Sequence, residues 1–513
     1  EITTRLVGSE MCIRDSCTTS TLTFSADEAG RYFILISATN AGGTTEKEIR
    51  IDVFQLDVPT ISIADADKGF KVLQGSELTI TPIVDSFLET SYSWQINGED
   101  ISNELTCTLP TIELGEYQVR FATHNEDGDD EVTFKVEVCS PDQVDFNWTF
   151  LQTEYNMSAG RTIRIKPVDV NNALDAVYTW TVDNEQVQSG ENDTYLFTSE
   201  QQGEHTVKVE MKNSYILATQ TLKVNVCPPA GTYQRKISAT SSASMNKVYE
   251  YLPAPGQFIN ENHNTITMAE ACTYAEERIN QTAYVSLGGF GGYIIVGFDH
   301  SIVNDGDYNI AITGNAFDGS SEPGIVWVMQ DENGDGLPND TWYELRGSEY
   351  GKAETWQDYA VTYHKPTGIQ LPTPWTDNHG QSGSIDYLGA FHRQDYYYPA
   401  WVKEKQYTLR GTRLKERNYD QSGNGTYWVN DSYEWGYADN FSAIDRLTDD
   451  DNYNAGPSDN HFKISHAVTF DGKDANLKYV DFIKVQVGVN SKSGWLGEIS
   501  TEVFGIKDFN MLK

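Results

Sequence analysis

At 513 residues the chain exceeds what one hydrophobic core organises, so about three or four domains are expected. Its 37 Lys and Arg stand against 75 Asp and Glu, a net charge of 37 − 75 = −38, which repels phosphate backbones and anionic lipid heads and excludes nucleic acid as a partner. Aromatic residues make up 12% at a mean hydropathy of −0.49, a balance that fits β-sandwiches and aromatic ligand platforms better than helical bundles. No apolar run reaches the ~18 to 20 residues that cross a bilayer.

The first residues stand apart. Residues 6–16, LVGSEMCIRDS, resemble the translated read-through of a sequencing-library adapter, so residues 1–16 are read as a scar and a signal peptide and anchor are expected to have been lost there. Apart from Cys12, the cysteines are Cys17, Cys107, Cys139, Cys227 and Cys272. No CxxC or Cys/His spacing suits zinc, and these residues read as small buried hydrophobes rather than a disulfide scaffold.

Three segments then repeat. Gly30-Arg-Tyr32, Gly115-Glu-Tyr117 and Gly203-Glu-His205 are spaced by 115 − 30 = 85 and 203 − 115 = 88 residues, and Asn40, Asn125 and Asn213 each follow ten residues later. Trp94 in YSW and Trp180 in YTW lie 180 − 94 = 86 apart. Period-two runs such as Tyr117-Gln-Val-Arg-Phe121, bounded by Gly, Asn and Asp, predict half-buried antiparallel strands. A tryptophan on a mid-domain strand with a later Gly-x-Tyr corner is the immunoglobulin-like pattern. Residues 17–57 read as a truncated repeat, 58–140 and 141–228 as complete ones, and 229–246 as a linker marked by Cys227-Pro-Pro229 and a Ser/Ala-rich run.

Residues 247–513 read as a larger jelly-roll-like β-sandwich with one short helix, opened by a capping box at Thr267 and Glu270 and running to about Ile279. Gly288-Gly289-Phe290-Gly291-Gly292 opens a β run and lacks both the helix and the Lys-Ser/Thr ending of a phosphate loop, so its glycines are read as serving close backbone approach. Residues 331–340, DENGDGLPND, place oxygen donors at loop positions one, three and five, then glycine and a carbonyl, as a Ca²⁺-wrapping loop does. Its expected ligands are Asp331, Asn333, Asp335, the Leu337 carbonyl and Asp340; the competing reading is a solvated Asx/Gly turn, because Trp342 replaces the glutamate of an EF-hand.

Four aromatic clusters are interleaved with amides and acids, the combination that stacks and orients sugars or corrins. The ligand-binding candidates are Trp375, Asp377, Asn378, Trp401, Trp435, Tyr437, Asp439, Asn440, Trp495 and Glu498, with core packing as the alternative for each cluster. No nucleophile elbow, HExxH or Cys/His signature is present. Glu322, Glu349 and Glu498 could pair with Asp299 or Asp439 as a glycosidase acid and base, but so acidic a chain supplies such pairs by composition.

The stretches EYLPAPGQFINE (250–261), SLGGFGGYIIVGFDHSI (286–302), GNAFDGSSEPGIVWVMQDENGDGLPNDTWYEL (314–345), WGYADN (435–440) and DFIKVQVGVNSKSGWLGEISTEV (481–503) resemble a family of Bacteroidetes cell-surface proteins with PKD-like repeats. The resemblance implies an extracytoplasmic, outer-membrane-exposed lipoprotein, with some relatives tied to cobamide uptake beside TonB-dependent transporters. The resulting expectation is a non-catalytic nutrient-binding protein for a cobamide or glycan. A secreted carbohydrate-active hydrolase and an adhesive or structural protein remain the alternatives.

Overall fold

A computed structural model describes residues 2–8, 16–17, 21, 23–26, 30–53, 56–140, 146–171, 173, 175–213, 216–261, 263–447 and 457–513. The chain is all-β, with 46% strand against 6% helix. It divides into two compact units, one of residues 1–61, 84–105 and 118–133 and the other of residues 62–83, 106–117 and 134–513.

In the first unit the repeat asparagines acquire a physical role. Gly30–Asn40 pairs antiparallel with Gly43–Val53, and the Asn40 side-chain oxygen accepts the Gly42 amide at 2.7 Å, closing the hairpin. Asn125 does the same with the amides of Asp127 and Gly128, and its own amide donates to the Asp57 carbonyl at 2.6 Å. The invariant spacing therefore marks an Asx turn, in which a short polar side chain caps backbone amides two or three residues on. Trp94, on Ser91–Ile96, is fully buried with its ring 4.6 Å from that of Phe121. Of the residues read as a scar, Ile2–Gly8 forms a strand against Gly30–Asn40, while Cys12 and its neighbours 9–15 lie outside the described residues.

The second unit contains the third repeat whole. Its five-stranded sheet runs in the order Glu154–Ser158, Leu217–Cys227, Gly203–Lys212, Val177–Val182, Glu185–Gly190, and a two-stranded ribbon of Thr162–Ile165 and Tyr195–Thr198 packs on it. Trp180 is fully buried between the layers and stacks on Tyr195 at 5.5 Å. Cys139, Cys227 and Cys272 are free thiols, the first two buried, and Cys107 is buried as well, as expected of small core residues.

The C-terminal region is built around a six-stranded antiparallel sheet ordered Lys247–Leu252, Tyr293–Val303, Tyr479–Val487, Gly324–Met329, Trp342–Leu345, Ala467–Val468. Further sheets of three strands (Ser458–Phe462, Ile310–Gly314, Gly505–Asp508) and four strands (Ser382–Ile385, Thr373–Asp377, Trp356–His364, Gln406–Arg413) accompany it. The capping box is present: Thr267 accepts the Glu270 amide and opens the helix Met268–Asn280. A second, shorter helix, Ala443–Arg446, was not expected; one turn capped by Ser442 gives too little periodicity to read. A β-carbon at Gly288 or Gly292 would collide with the backbone of Ala254 or Leu287, so these glycines are required by close chain approach. The stretch read as a linker is tied down, because Arg235 donates to Asp481 at 3.0 Å and to the Phe298 carbonyl at 2.8 Å.

Candidate functional site: a cleft between the third sandwich and the C-terminal sheet

The central sheet has two chemically different faces because successive residues of a strand point to opposite sides. On one face Ile294, Val296, Val326, Val328, Ile483 and Val485 are buried in the main core. On the other, strand register lines up Glu250, Ile295, Lys484, Trp327, Glu344 and Val468 as one row across all six strands. Part of this polar and aromatic row lines a cavity of about 630 Å³, which is closed on the other side by Leu151, Arg164 and Lys166 of the third sandwich.

Lys484 is the centre of the row. Its ammonium lies 4.8 Å from the Trp327 ring, 5.3 Å from Trp342 and 5.7 Å from Tyr293, within the range where ring quadrupoles attract a cation. Burial lowers its pKa to about 8, against a partial upward pull from Glu250 and Glu344. Burial likewise raises Glu344 to about 7, although Thr412 donates to its Oε2 at 2.5 Å. At the cleft's rim Arg410 pairs with Asp169, while Arg164 and Lys166 pair with Asp358 at 2.8 and 2.7 Å. The result is a half-open groove offering flat aromatic faces, paired charges and hydroxyls, the equipment for orienting a large polar ligand.

The acidic loop lies where the same two domains meet. Arg161 of the third sandwich pairs with the buried Glu332 at 3.2 Å and donates to Gln330 at 2.9 Å, and the Ser158 amide donates to Glu332 Oε2 at 3.2 Å. Within the loop most donor atoms hold their own turn. Asp331 accepts the amides of Gly334 and Gly336 at 2.7 and 3.0 Å, Asn333 accepts Asp335, and Asp335 accepts Leu337. Asp340 Oδ2 accepts the Glu332 amide at 2.9 Å, but Asp340 Oδ1 is buried without a partner, and burial raises this carboxyl to about 8. This orphaned oxygen lies near Asp331 and Asp335, but among the described residues the loop carboxylates do not form a group whose oxygens all lie within 4.8 Å of one another.

The expected ligand residues do not converge on one cavity. Asn378 reaches the large cleft; Trp435 lines a separate cavity of about 250 Å³ with His461 and His466. Trp401 is core, and so is Tyr437, whose hydroxyl accepts the Glu349 amide at 3.0 Å. Asn440 is fully buried and bonds both ways with the Tyr433 backbone. Trp375 packs over Gly383, and Asp377 accepts the Tyr359 hydroxyl at 2.7 Å. Trp495 is half exposed beside Phe391, and Glu498 is buried. Glu349 is spent on Lys352 and Arg417, and Asp299 on His300. Trp327, Trp342 and Lys484 were missed; the available signal was a tryptophan in the apolar strand Gly324–Met329 and a lysine in Tyr479–Val487.

The sandwiches are of immunoglobulin type. More narrowly, a model of the PKD-like domain matches residues 58–125 and 130–213, so the chain carries PKD-like repeats. Solved structures similar to it include fibronectin(III)-like modules of CbhA from Clostridium thermocellum (15% identity, 35% of this chain, 100% of that one, TM-score 0.18). A chimeric titin Z1Z2 (20%, 34% and 98%, TM-score 0.21) and three N-terminal domains of the bacteriophage RB49 outer capsid protein Hoc (14%, 44% and 88%, TM-score 0.20) are also similar. No curated protein matches. Among the described residues no helix is long and apolar enough to cross a membrane.

Proposed function

We propose that this is a non-catalytic cell-surface binding protein in which the PKD-like repeats serve as a spacer and the cleft holds a large polar nutrient, a cobamide or a glycan. The observation that carries this reading is the cavity of about 630 Å³ lined by Trp327, Trp342, Lys484 and Glu344. Its volume falls within the range of ligand pockets, and stacking faces beside charged groups suit a corrin or sugar ring. An extracytoplasmic location, with attachment to the outer membrane and hand-over to a TonB-dependent transporter, belongs to the same reading and draws on the PKD-like repeats. A structural Ca²⁺ ion held by Asp331, Asn333, Asp335, the Leu337 carbonyl and Asp340 would stiffen the loop beside the cleft. The hydrolase reading is less well supported, because Asp439 and Glu498, two of its proposed carboxylates, are buried away from any polymer.

The test is a titration of the full chain with cyanocobalamin and a glycan panel, followed by calorimetry. Saturable binding that Trp342→Ala weakens at least tenfold is expected. Silence across the panel, or binding indifferent to Trp342→Ala, would move the function away from this cleft.

A further inference from the structure

Outside the cleft, three carboxylates from distant segments meet. Glu322 precedes the strand Gly324–Met329, Asp439 sits at a left-handed backbone position (φ 52°), and Glu502 opens the strand Glu502–Val503. One oxygen of each lies within 4.8 Å of the other two. Backbone amides fix them: Asn315 and Ala316 donate to Asp439 Oδ1 at 2.8 and 2.9 Å, Glu502 to Asp439 Oδ2 at 2.9 Å, and Ser500 to Glu322 Oε1 at 3.3 Å.

Among the described residues, no cation is a main influence on any of the three carboxylates. Glu502 is only 4% exposed, yet its Oε1 has no hydrogen-bond partner. Glu498, 6% exposed and close enough to Glu322 for their charges to oppose, has an equally orphaned Oε2. Burial and then repulsion from the neighbouring carboxylates push Asp439 and Glu502 well above the carboxylate range, and a hydrogen bond between the Glu322 and Glu502 side chains adds to the rise of Glu502. Unpaired buried carboxylates with unmet oxygens are costly unless protons or a metal neutralise them. Two Ca²⁺–oxygen bonds of about 2.3 to 2.6 Å span up to about 5 Å, so oxygens this close fit one coordination shell. Glu322 retains partial exposure, which gives an ion and its waters a way in.

We propose that Glu322, Asp439 and Glu502 bind a Ca²⁺ ion that clamps these three segments of the C-terminal domain together. This site is separate from the acidic loop and does not depend on it. The full chain is stripped with chelator, and bound Ca²⁺ is counted by calorimetric titration and elemental analysis for the parent, Glu502→Gln and Asp335→Asn. Glu502→Gln is expected to bind one ion fewer than the parent and to lose most of the Ca²⁺-induced rise in melting temperature, and Asp335→Asn to keep the ion that Glu502→Gln loses. In chelator Glu502→Gln should melt no lower than the parent, since it removes a repelled charge. Unchanged stoichiometry and melting shift in Glu502→Gln would overturn the site in favour of carboxyls held by shared protons. Should Glu502→Gln fail to fold, Glu322→Gln carries the same readings.

Discussion

Glu498 shows how one side chain sets a pH dependence. Its Oε1 accepts the Gln257 amide at 2.7 Å, while burial raises its pKa from 4.5 to about 8. Between those values the folded protein holds a proton that the unfolded chain has released, so the stability this group contributes is complete below about pH 4.5 and is lost as pH rises towards 8. Lys484 runs the other way: lowered from 10.5 to about 8, it has its full cost below pH 8, and that cost is relieved as pH rises to 10.5. In chelator, the parent should therefore melt lower at pH 8 than at pH 5, and Glu498→Gln should flatten that slope by about one proton, ~1.4 kcal/mol per pH unit where the group dominates. Identical slopes in denaturation curves across this range would remove Glu498 as a source. Its presence as a possible carboxylate partner could be read in the sequence. Its burial could not, since that depends on Gln257, 241 residues earlier, donating to Glu498 and to the neighbouring Leu496 carbonyl.

At the scale of elements, the acidic loop is both a local turn and a docking surface. The local half was legible, because Asx turns join residues two to five apart and leave the Asp/Asn/Gly spacing in the sequence. The docking half was not: Arg161 lies 332 − 161 = 171 residues before Glu332, and nothing near either residue announces the pair. Removing one partner of a buried ion pair strands the other charge, so Arg161→Ala should cost about 3 to 5 kcal/mol in urea unfolding, and Glu332→Gln in that background should recover part of the loss. Additive effects of the two substitutions would show that the contact carries no coupling. The cleft residues were hidden for a related reason. Trp327 and Lys484 sit among core residues in sequence, and only cross-strand register shows that both occupy the open face.

For the second compact unit taken whole, the third sandwich and the C-terminal sheets share the Arg161 network and the salt links of Arg164, Lys166 and Arg410. They are expected to open as one cooperative body. Native-state hydrogen exchange should then give the amides of Val207 and Val209 the same opening free energy as those of Ile483 and Val485, and Arg161→Ala should separate the two sets. Distinct values in the parent would mean that the domains open independently.

By itself the sequence determined the repeat architecture, the all-β class, the buried Trp94 and Trp180, the capped helix and the fold-forming glycines, because each follows from short-range periodicity or from backbone conformations that one residue type allows. Only the tertiary structure decided which aromatics are core and which line a cavity, and which few of the many acids lie unpaired inside the protein. Those outcomes depend on strand register and on contacts between residues far apart in the chain, where composition and local pattern carry no information.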